Sequence, residues 1–232
     1  MSSSRREFLR LTGATVAGLT LVGRGLAQPV PAAGLGIQSQ TRPDADEVLR
    51  LLLEGNERFV EGRPASPRRR PEDFSVLAEG QAPVAAIIAC ADSRVAPEIL
   101  FDQGVGDLFV VRIAGNVVDG TGVPVKGSVE YAVAELGVPL VMVLGHSNCG
   151  AVKATIEGKE VPGQISALYA PIRPAVEAAG SDLDAAIDAN AKIQATLLSR
   201  ASPIIGEAIK EGKLKVVPAR YDIVSGKVSL FA

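Results

Sequence analysis

The sequence contains no tryptophan, only one histidine and only two cysteines. A single histidine excludes a second imidazole that could shuttle protons near neutral pH. The net charge is −2 and no basic arm with interleaved aromatic residues is present, so nucleic acid and anionic membranes are poor candidate partners. Hydrophobic residues make up 47% and charged residues 22%, which is typical of a globular chain, and one domain is the simpler interpretation.

Both cysteines and the histidine fall in two short clusters, at residues 90–94 and 146–149. Zinc favours thiolate and imidazole ligands, and a catalytic zinc site typically has three protein ligands and one open position. Cys90, His146 and Cys149 supply such a set, which predicts one zinc ion per chain. The sequence alone leaves iron and cobalt open.

A disulfide between Cys90 and Cys149 is the alternative. The amino-terminal residues, described in the next paragraph, predict export, and two cysteines in an exported protein are ordinarily expected to pair. Each cysteine, however, follows an apolar run that is typical of a buried parallel strand. The second cysteine also has a histidine three residues before it. These features favour metal binding.

The first residues predict an export signal. Residues 4–10 carry a twin-arginine pattern, and the apolar stretch at 11–23 is too short to cross a bilayer as a helix. Small residues at Gly25 and Ala27 predict cleavage after Ala27, so 1–27 would be a signal peptide read by the twin-arginine export machinery. We expect a periplasmic or otherwise extracytoplasmic protein without stable membrane association; an uncleaved anchor is the alternative.

Residues 28–43 are rich in Pro, Gly, Ala and Gln and predict a flexible arm, which leaves 44–232 as the folded domain. The pattern there predicts an α/β fold with a mainly parallel sheet flanked by helices. A helix at 44–60 has no obvious local partner, so we expect it to pack on a neighbouring subunit. The other expected helices are 123–136, 164–179 and 185–210, and the expected strands are 84–89, 108–111, 140–144, 214–217 and 227–230.

The two clusters come directly after the first and third of these strands. In open parallel sheets, ligands bind beyond the carboxyl ends of the strands. The expected topology and the chemistry of the clusters therefore agree. The glycine-rich stretch at 115–127 lacks the order of residues of a phosphate-binding loop and is interpreted as a structural turn and helix entry.

Four motifs over residues 81–230 resemble the β class of carbonic anhydrases. They are Cys-Ala-Asp-Ser-Arg-Val at 90–95, Gly-Asp-Leu-Phe-Val-Val-Arg at 106–112, Ala-Gly-Asn at 114–116 and His-Ser-Asn-Cys-Gly at 146–150. The resemblance implies zinc-dependent, reversible hydration of CO2 to bicarbonate and a proton by zinc-bound hydroxide. It also implies a homodimer or a higher homo-oligomer.

The same resemblance implies roles for individual residues. Asp92 and Arg94 form the family's catalytic pair, and Asp92 either occupies the fourth zinc position or pairs with Arg94 and leaves that position open. Substrate-binding roles are implied for Gln81, Phe109 and Tyr131, with Phe109 and Tyr131 lining the pocket of a neighbouring subunit.

Two alternatives to CO2 hydration remain at this point. A hydrolase of CS2 or COS could use the same motifs, because all three substrates present a small electrophilic carbon. A non-enzymatic exported protein with the Cys90–Cys149 disulfide is the other.

Overall fold

The centre of the fold is a β-sheet whose strands are β1 (Ala85–Ala89), β2 (Leu108–Arg112), β3 (Leu140–His146), β4 (Lys215–Tyr221) and β5 (Val228–Leu230). The computed structural model describes residues 42–118 and 123–231. The expected signal peptide at 1–27 and most of the expected arm at 28–43 lie outside these residues.

The strand order is β2-β1-β3-β4-β5, with parallel pairing throughout except between β4 and β5. Strands β1 and β3 are buried along their whole lengths, as their continuous apolar sequences predict for strands covered on both faces. The expected mainly parallel α/β fold is confirmed.

Helices cover both faces of the sheet. They are α1 (Ala45–Val60), α2 (Pro97–Leu100), α3 (Val123–Ala134), α4 (Gly150–Glu157), α5 (Tyr169–Ala179), α6 (Leu183–Ala201) and α7 (Pro203–Lys210). Short 3-10 segments lie at Pro71–Leu77, Ala114–Asn116 and Gly163–Leu168. No helix of the described ranges is long and apolar enough to cross a membrane.

The helical stretch expected at 185–210 is present but divided, because the chain breaks between α6 and α7. Ser202 has extended backbone angles, and its hydroxyl accepts a hydrogen bond from the Ile205 N–H at 3.2 Å. Pro203 follows it and opens α7, since proline disfavours helical angles in the residue before it and suits a first helical turn. The expected helix at 164–179 likewise begins as a 3-10 segment and becomes α-helical only at Tyr169.

Helix α1 packs on its own chain, which corrects the expectation that it lacks a local partner. Asp44 caps the helix by accepting hydrogen bonds from two backbone N–H groups of the first turn. Val48 and Leu52 are fully buried in a cluster that also contains Ile87 and Met142 of the sheet. Asp46, Glu47, Arg50 and Glu57 of α1 are exposed, and packing of this helix on a neighbouring subunit stays a prediction.

The carboxyl ends of β1, β2 and β3 meet at one edge of the sheet. Ala89, the last residue of β1, lies in register with both Arg112 and Leu144. Cys90 follows β1 directly, and His146 is the last residue of β3. Parallel pairing therefore brings the two sequence clusters together.

Candidate metal centre

Three buried side chains converge at this edge of the sheet. The ligand atoms of Cys90, His146 and Cys149 all lie within 4.8 Å of one another. Cys90 lies beyond β1, His146 ends β3, and Cys149 caps the amino end of α4. Two thiolates and one imidazole are a donor set that zinc prefers, and the three residues fit that ion.

The His146 ring is oriented to present one nitrogen to the cluster. Its Nδ1 lies 2.9 Å from the carbonyl oxygen of Ser147. Because a carbonyl oxygen can only accept a hydrogen bond, Nδ1 must carry the ring proton and donate it. Its Nε2 then has a free lone pair, and within the described residues this buried atom has no hydrogen-bond partner. A buried acceptor without a partner is costly unless a ligand satisfies it, which supports a metal at this point.

The two cysteines are free and buried, and they are not joined in a disulfide. A hydrogen bond between the Cys149 and Cys90 side chains is the main cause that lowers the pKa of Cys90 to about 4. Burial has the opposite effect on this pKa but is outweighed. The same interaction, with burial, raises the pKa of Cys149. The two thiols therefore affect each other's pKa through their mutual hydrogen bond.

Asp92 and Arg94 lie beside this cluster as an ion pair. Arg94 donates from Nε to Oδ1 of Asp92 at 2.9 Å and from Nη2 to Oδ2 at 2.8 Å. These hydrogen bonds hold the pKa of Asp92 well below its usual range. Oδ2 of Asp92 lies 3.9 Å from Nε2 of His146, so the paired carboxylate borders the ligand cluster. Of the two states implied for Asp92, the structure contains the one paired with Arg94.

Arg112 ends the Gly-Asp-Leu-Phe-Val-Val-Arg motif, but no role was predicted for it from the sequence, although it contacts the loop that follows β1. From the end of β2 its guanidinium donates to the Cys90 carbonyl at 3.2 Å and to the Asp92 carbonyl. The available signal was a charged residue at the end of an apolar strand that pairs with β1. Arg112 thereby holds the backbone on both sides of Ala91.

Gly115 lies in the Ala-Gly-Asn motif, but no role was predicted for it, because the stretch at 115–127 was interpreted as a structural turn and helix entry. Its backbone N–H donates to Sγ of Cys90 at 3.3 Å. Its φ is +75°, and a Cβ at this position would lie 2.7 Å from Cδ1 of Ile172. Glycine is required by both the backbone conformation and the available space.

The three residues implied to bind substrate lie away from the cluster within one chain. Gln81 is exposed and precedes β1, at the opposite end of that strand from Cys90. Phe109 pairs with Ala86 in the body of the sheet, and its ring lies 6.2 Å, centroid to centroid, from that of Tyr131. Their contribution to a neighbouring subunit's site stays a prediction.

The sequence is similar to a family model and to several proteins of known function. Residues 85–228 match the family model described as "Carbonic anhydrase". The chain is 42% identical to carbonic anhydrase 2 of Mycobacterium tuberculosis over 189 residues, covering 78% of this chain and 90% of that protein. It is 40% identical to a carbonic anhydrase of Mycolicibacterium smegmatis, again over 78% of this chain and 90% of the relative.

Solved structures agree with these relatives. One of two tetrameric β-carbonic anhydrases from Sordaria macrospora superposes with a TM-score of 0.65 at 27% identity, covering 80% of this chain and 97% of that chain. The Coccomyxa β-carbonic anhydrase in complex with acetazolamide gives a TM-score of 0.62 at 30% identity, with coverage of 79% and 86%.

Proposed function

Because this chain belongs to the β-class carbonic anhydrase family, we propose that it catalyses the zinc-dependent, reversible hydration of carbon dioxide to bicarbonate and a proton. The observation that carries this function is the convergence of the Cys90, His146 and Cys149 ligand atoms within 4.8 Å. The Asp92–Arg94 pair borders the same cluster.

Cys90, His146 and Cys149 would hold the zinc ion, leaving a fourth position for chemistry. When bound, zinc supplies activation of water near neutral pH, because its charge lowers the pKa of a coordinated water to about 7. The hydrogen bond from His146 to the Ser147 carbonyl fixes the ring orientation. The N–H group of Gly115 stabilises the Cys90 thiolate.

Asp92 and Arg94 would orient a water or a bicarbonate hydroxyl beside the ligand cluster. Arg94 holds both carboxylate oxygens of Asp92, which keeps the carboxylate ionised and turned toward the guanidinium. An ionised carboxylate only accepts hydrogen bonds, so Asp92 can align a water or a bicarbonate hydroxyl at the edge of the ligand cluster. Backbone donation from Arg94 to Oδ1, at 3.0 Å, fixes the carboxylate further.

The proton produced by hydration has no imidazole to receive it. His146 is the only histidine of the chain, and it belongs to the ligand set. Asp92 is too acidic to hold a proton near neutral pH. The proton therefore leaves through water or a buffer molecule.

The test of this function is stopped-flow hydration of CO2 by purified protein whose bound zinc is measured in the same sample. Activity in proportion to bound zinc supports the proposal. Hydrolysis of CS2 or COS by zinc-loaded protein that leaves CO2 unchanged would move the assignment to that class of hydrolase.

We further propose that residues 1–27 direct export by the twin-arginine machinery, with cleavage after Ala27 and a periplasmic or otherwise extracytoplasmic location. The twin-arginine pattern at residues 4–10 supports this. Replacement of both arginines, as Arg5→Lys with Arg6→Lys, is expected to retain the protein in the cytoplasm at its full mass. Export of the double variant equal to that of the wild type would contradict the proposal.

The active unit is a homodimer or a higher homo-oligomer in this proposal, with β2 at the interface. Strand β2 is an edge of the sheet and has an apolar sequence, yet within one chain its first four residues are only half-buried. An apolar edge strand of this kind is a site for pairing with another chain. A similar solved protein is described as tetrameric. Sedimentation of the purified protein as a monomer would contradict this assembly.

Phe109 and Tyr131 would line the site of the neighbouring subunit in such an assembly, together with Gln81. Coexpression of a Tyr131→Ala chain with a Cys149→Ser chain tests this contribution. In a mixed dimer the first chain supplies an intact zinc site and the second supplies Tyr131. Recovery of activity above that of either variant alone is expected, and activity no higher than their average would contradict the shared site.

A further inference from the structure

Two buried amide side chains of helix α6 hydrogen-bond to the loop at residues 115–118, here called the Gly115 loop, which contacts Cys90 through the N–H of Gly115. Asn190 is 1% exposed and Gln194 is fully buried. They lie four residues apart and therefore share one face of the helix. Buried amides are costly unless they are hydrogen-bonded, so the partners of these two side chains indicate what they hold in place.

Asn190 holds the backbone of Gly115. Its Nδ2 donates to the Gly115 carbonyl at 2.8 Å, a contact between residues 75 positions apart in the sequence. The N–H of the same glycine donates to Sγ of Cys90. One glycine therefore connects the helix amide to a sulfur of the candidate metal centre.

Gln194 fixes the orientation of the Asn190 amide. Nε2 of Gln194 donates to Oδ1 of Asn190 at 3.3 Å, so the Asn190 nitrogen must face the other way, toward Gly115. The same Nε2 donates to the Pro171 carbonyl, and Oε1 accepts from the Val118 N–H at 2.8 Å. The pair of amides thus anchors the loop near both of its ends.

The Gly115 backbone depends on such an anchor. A residue without a side chain has no packing of its own to fix its angles, and glycine populates many backbone conformations. Side chains of Ile172 and Ala151 border the space beside its Cα, but they supply no hydrogen bond to its polar groups. The hydrogen bond from Asn190 fixes the carbonyl group of Gly115. It thereby restricts the backbone angles of this glycine, and with them the direction in which its N–H points.

We propose that Asn190 is a positioning residue for the metal centre, which holds Gly115 so that its N–H donates to the Cys90 sulfur. This inference rests on the proposed zinc site. Groups that hydrogen-bond to metal ligands orient those ligands and tune the metal, and their loss typically weakens metal binding by about 10- to 100-fold. Asn190 acts one step further out, through a backbone amide.

The test compares Asn190→Ala with Leu198→Ala, a matched control on the same helix. Leu198 is fully buried in a cluster that contains neither cysteine but includes Val118, so its truncation destabilises the fold near the loop while leaving the hydrogen bonds of Asn190 and Gln194 in place. Zinc affinity is measured by competition with a chelator, and the thiolate-to-cobalt charge-transfer absorption is recorded after cobalt substitution.

The Asn190 variant is expected to bind zinc about 10-fold or more weakly than the wild type and to shift the charge-transfer band, because the thiolate loses its aligned donor. Leu198→Ala is expected to keep wild-type affinity and absorption. Wild-type affinity and absorption in Asn190→Ala, or an equal change in both variants, would overturn the proposal and leave Asn190 a purely structural role.

A second variant keeps the test decisive if Asn190→Ala does not fold. Asn190→Leu keeps nearly the same side-chain size but cannot donate to Gly115, and Gln194 keeps its bond to the Pro171 carbonyl, so the same loss of affinity and the same shift are expected. Wild-type values in this variant would overturn the proposal. Both readouts are independent of CO2 hydration, so a wild-type protein that binds zinc without hydrating CO2 would refute the proposed function and leave this inference standing.

Discussion

Arg94 holds both carboxylate oxygens of Asp92, with two parallel hydrogen bonds of 2.9 and 2.8 Å, although only one residue separates them in the chain. The pairing directs the carboxylate toward the guanidinium at the border of the metal centre. A zinc ion held by Cys90, His146 and Cys149 would then keep a fourth position for water. Arg112 supports the same loop from β2 through the Cys90 and Asp92 carbonyls.

Replacement of Arg94 by alanine is expected to lower kcat/KM for CO2 hydration by about 10- to 100-fold, because Asp92 loses the guanidinium that orients it beside the metal ligands. Bound zinc should stay at one per chain, since Arg94 is not a ligand. Arg94→Lys is expected to restore little, because an ammonium group cannot form two parallel bonds to a carboxylate. Stopped-flow assays with zinc quantification measure both effects, and wild-type activity in Arg94→Ala would contradict this role.

Buffer concentration is expected to raise kcat where proton release limits turnover. The only histidine belongs to the ligand set, so an external base must remove the proton. The measurement is kcat at saturating CO2 over a series of imidazole concentrations at constant pH and ionic strength. A kcat that does not change across the series would contradict removal of the proton by an external base as the limiting step.

Asp102 is expected to stabilise the fold in a pH-dependent manner. Burial favours the neutral acid, but hydrogen bonds from Arg58 and from the Ala65 and Ser66 backbone N–H groups outweigh it and lower the pKa of Asp102. A carboxyl group whose pKa is lower in the folded state stabilises that state above its unfolded pKa, about 3.9. The contribution disappears as the pH falls through the folded pKa.

The comparison of wild type with Asp102→Asn measures this contribution. At pH 7 the variant is expected to lose about 1–3 kcal/mol in the free energy of unfolding. The difference between the two proteins should shrink steadily below about pH 4. Glu72→Gln, at an exposed ion pair, serves as the control and should change stability little. A difference that is the same at pH 7 and pH 3 would contradict the account.

Two glycine substitutions within helices are expected to change stability in opposite directions. A Cβ on Gly55 of α1 would lie 1.9 Å from the Phe101 carbonyl oxygen, so Gly55→Ala should cost about 1–3 kcal/mol or more. Gly127 of α3 has open space, so Gly127→Ala should stabilise by about 0.5–1 kcal/mol. Denaturant midpoints of the two variants test this, and a Gly55→Ala variant as stable as the wild type would contradict the close helix contact.

Features that depend on local pattern were predicted well from the sequence. The apolar runs of β1 and β3 indicated buried parallel strands. Because Cys90 directly follows β1 and His146 ends β3, the pattern also placed both residues at the carboxyl ends of neighbouring strands. The periodicity of 44–60 indicated α1, but not its partner. The partner lies on strands more than 25 residues away, so local periodicity carries no information about it.

Features that depend on distant contacts were missed. The donor from Gly115 to Cys90 joins residues 25 positions apart, and the bond from Asn190 to Gly115 joins residues 75 positions apart. A glycine or an asparagine has the same local pattern whether or not it serves a distant site. The break at Ser202 and Pro203 was a local signal that was not used, since the helical stretch expected at 185–210 was given without a division at the proline.

The most direct test of the account is a titration of zinc into metal-free wild-type protein and metal-free Cys149→Ser, with bound zinc and CO2 hydration measured at each step. Wild-type activity is expected to rise linearly to one zinc per chain and then stay constant, while Cys149→Ser is expected to bind zinc weakly and stay inactive. Hydration by the zinc-free wild type, or full activity in Cys149→Ser, would contradict a zinc centre formed by Cys90, His146 and Cys149.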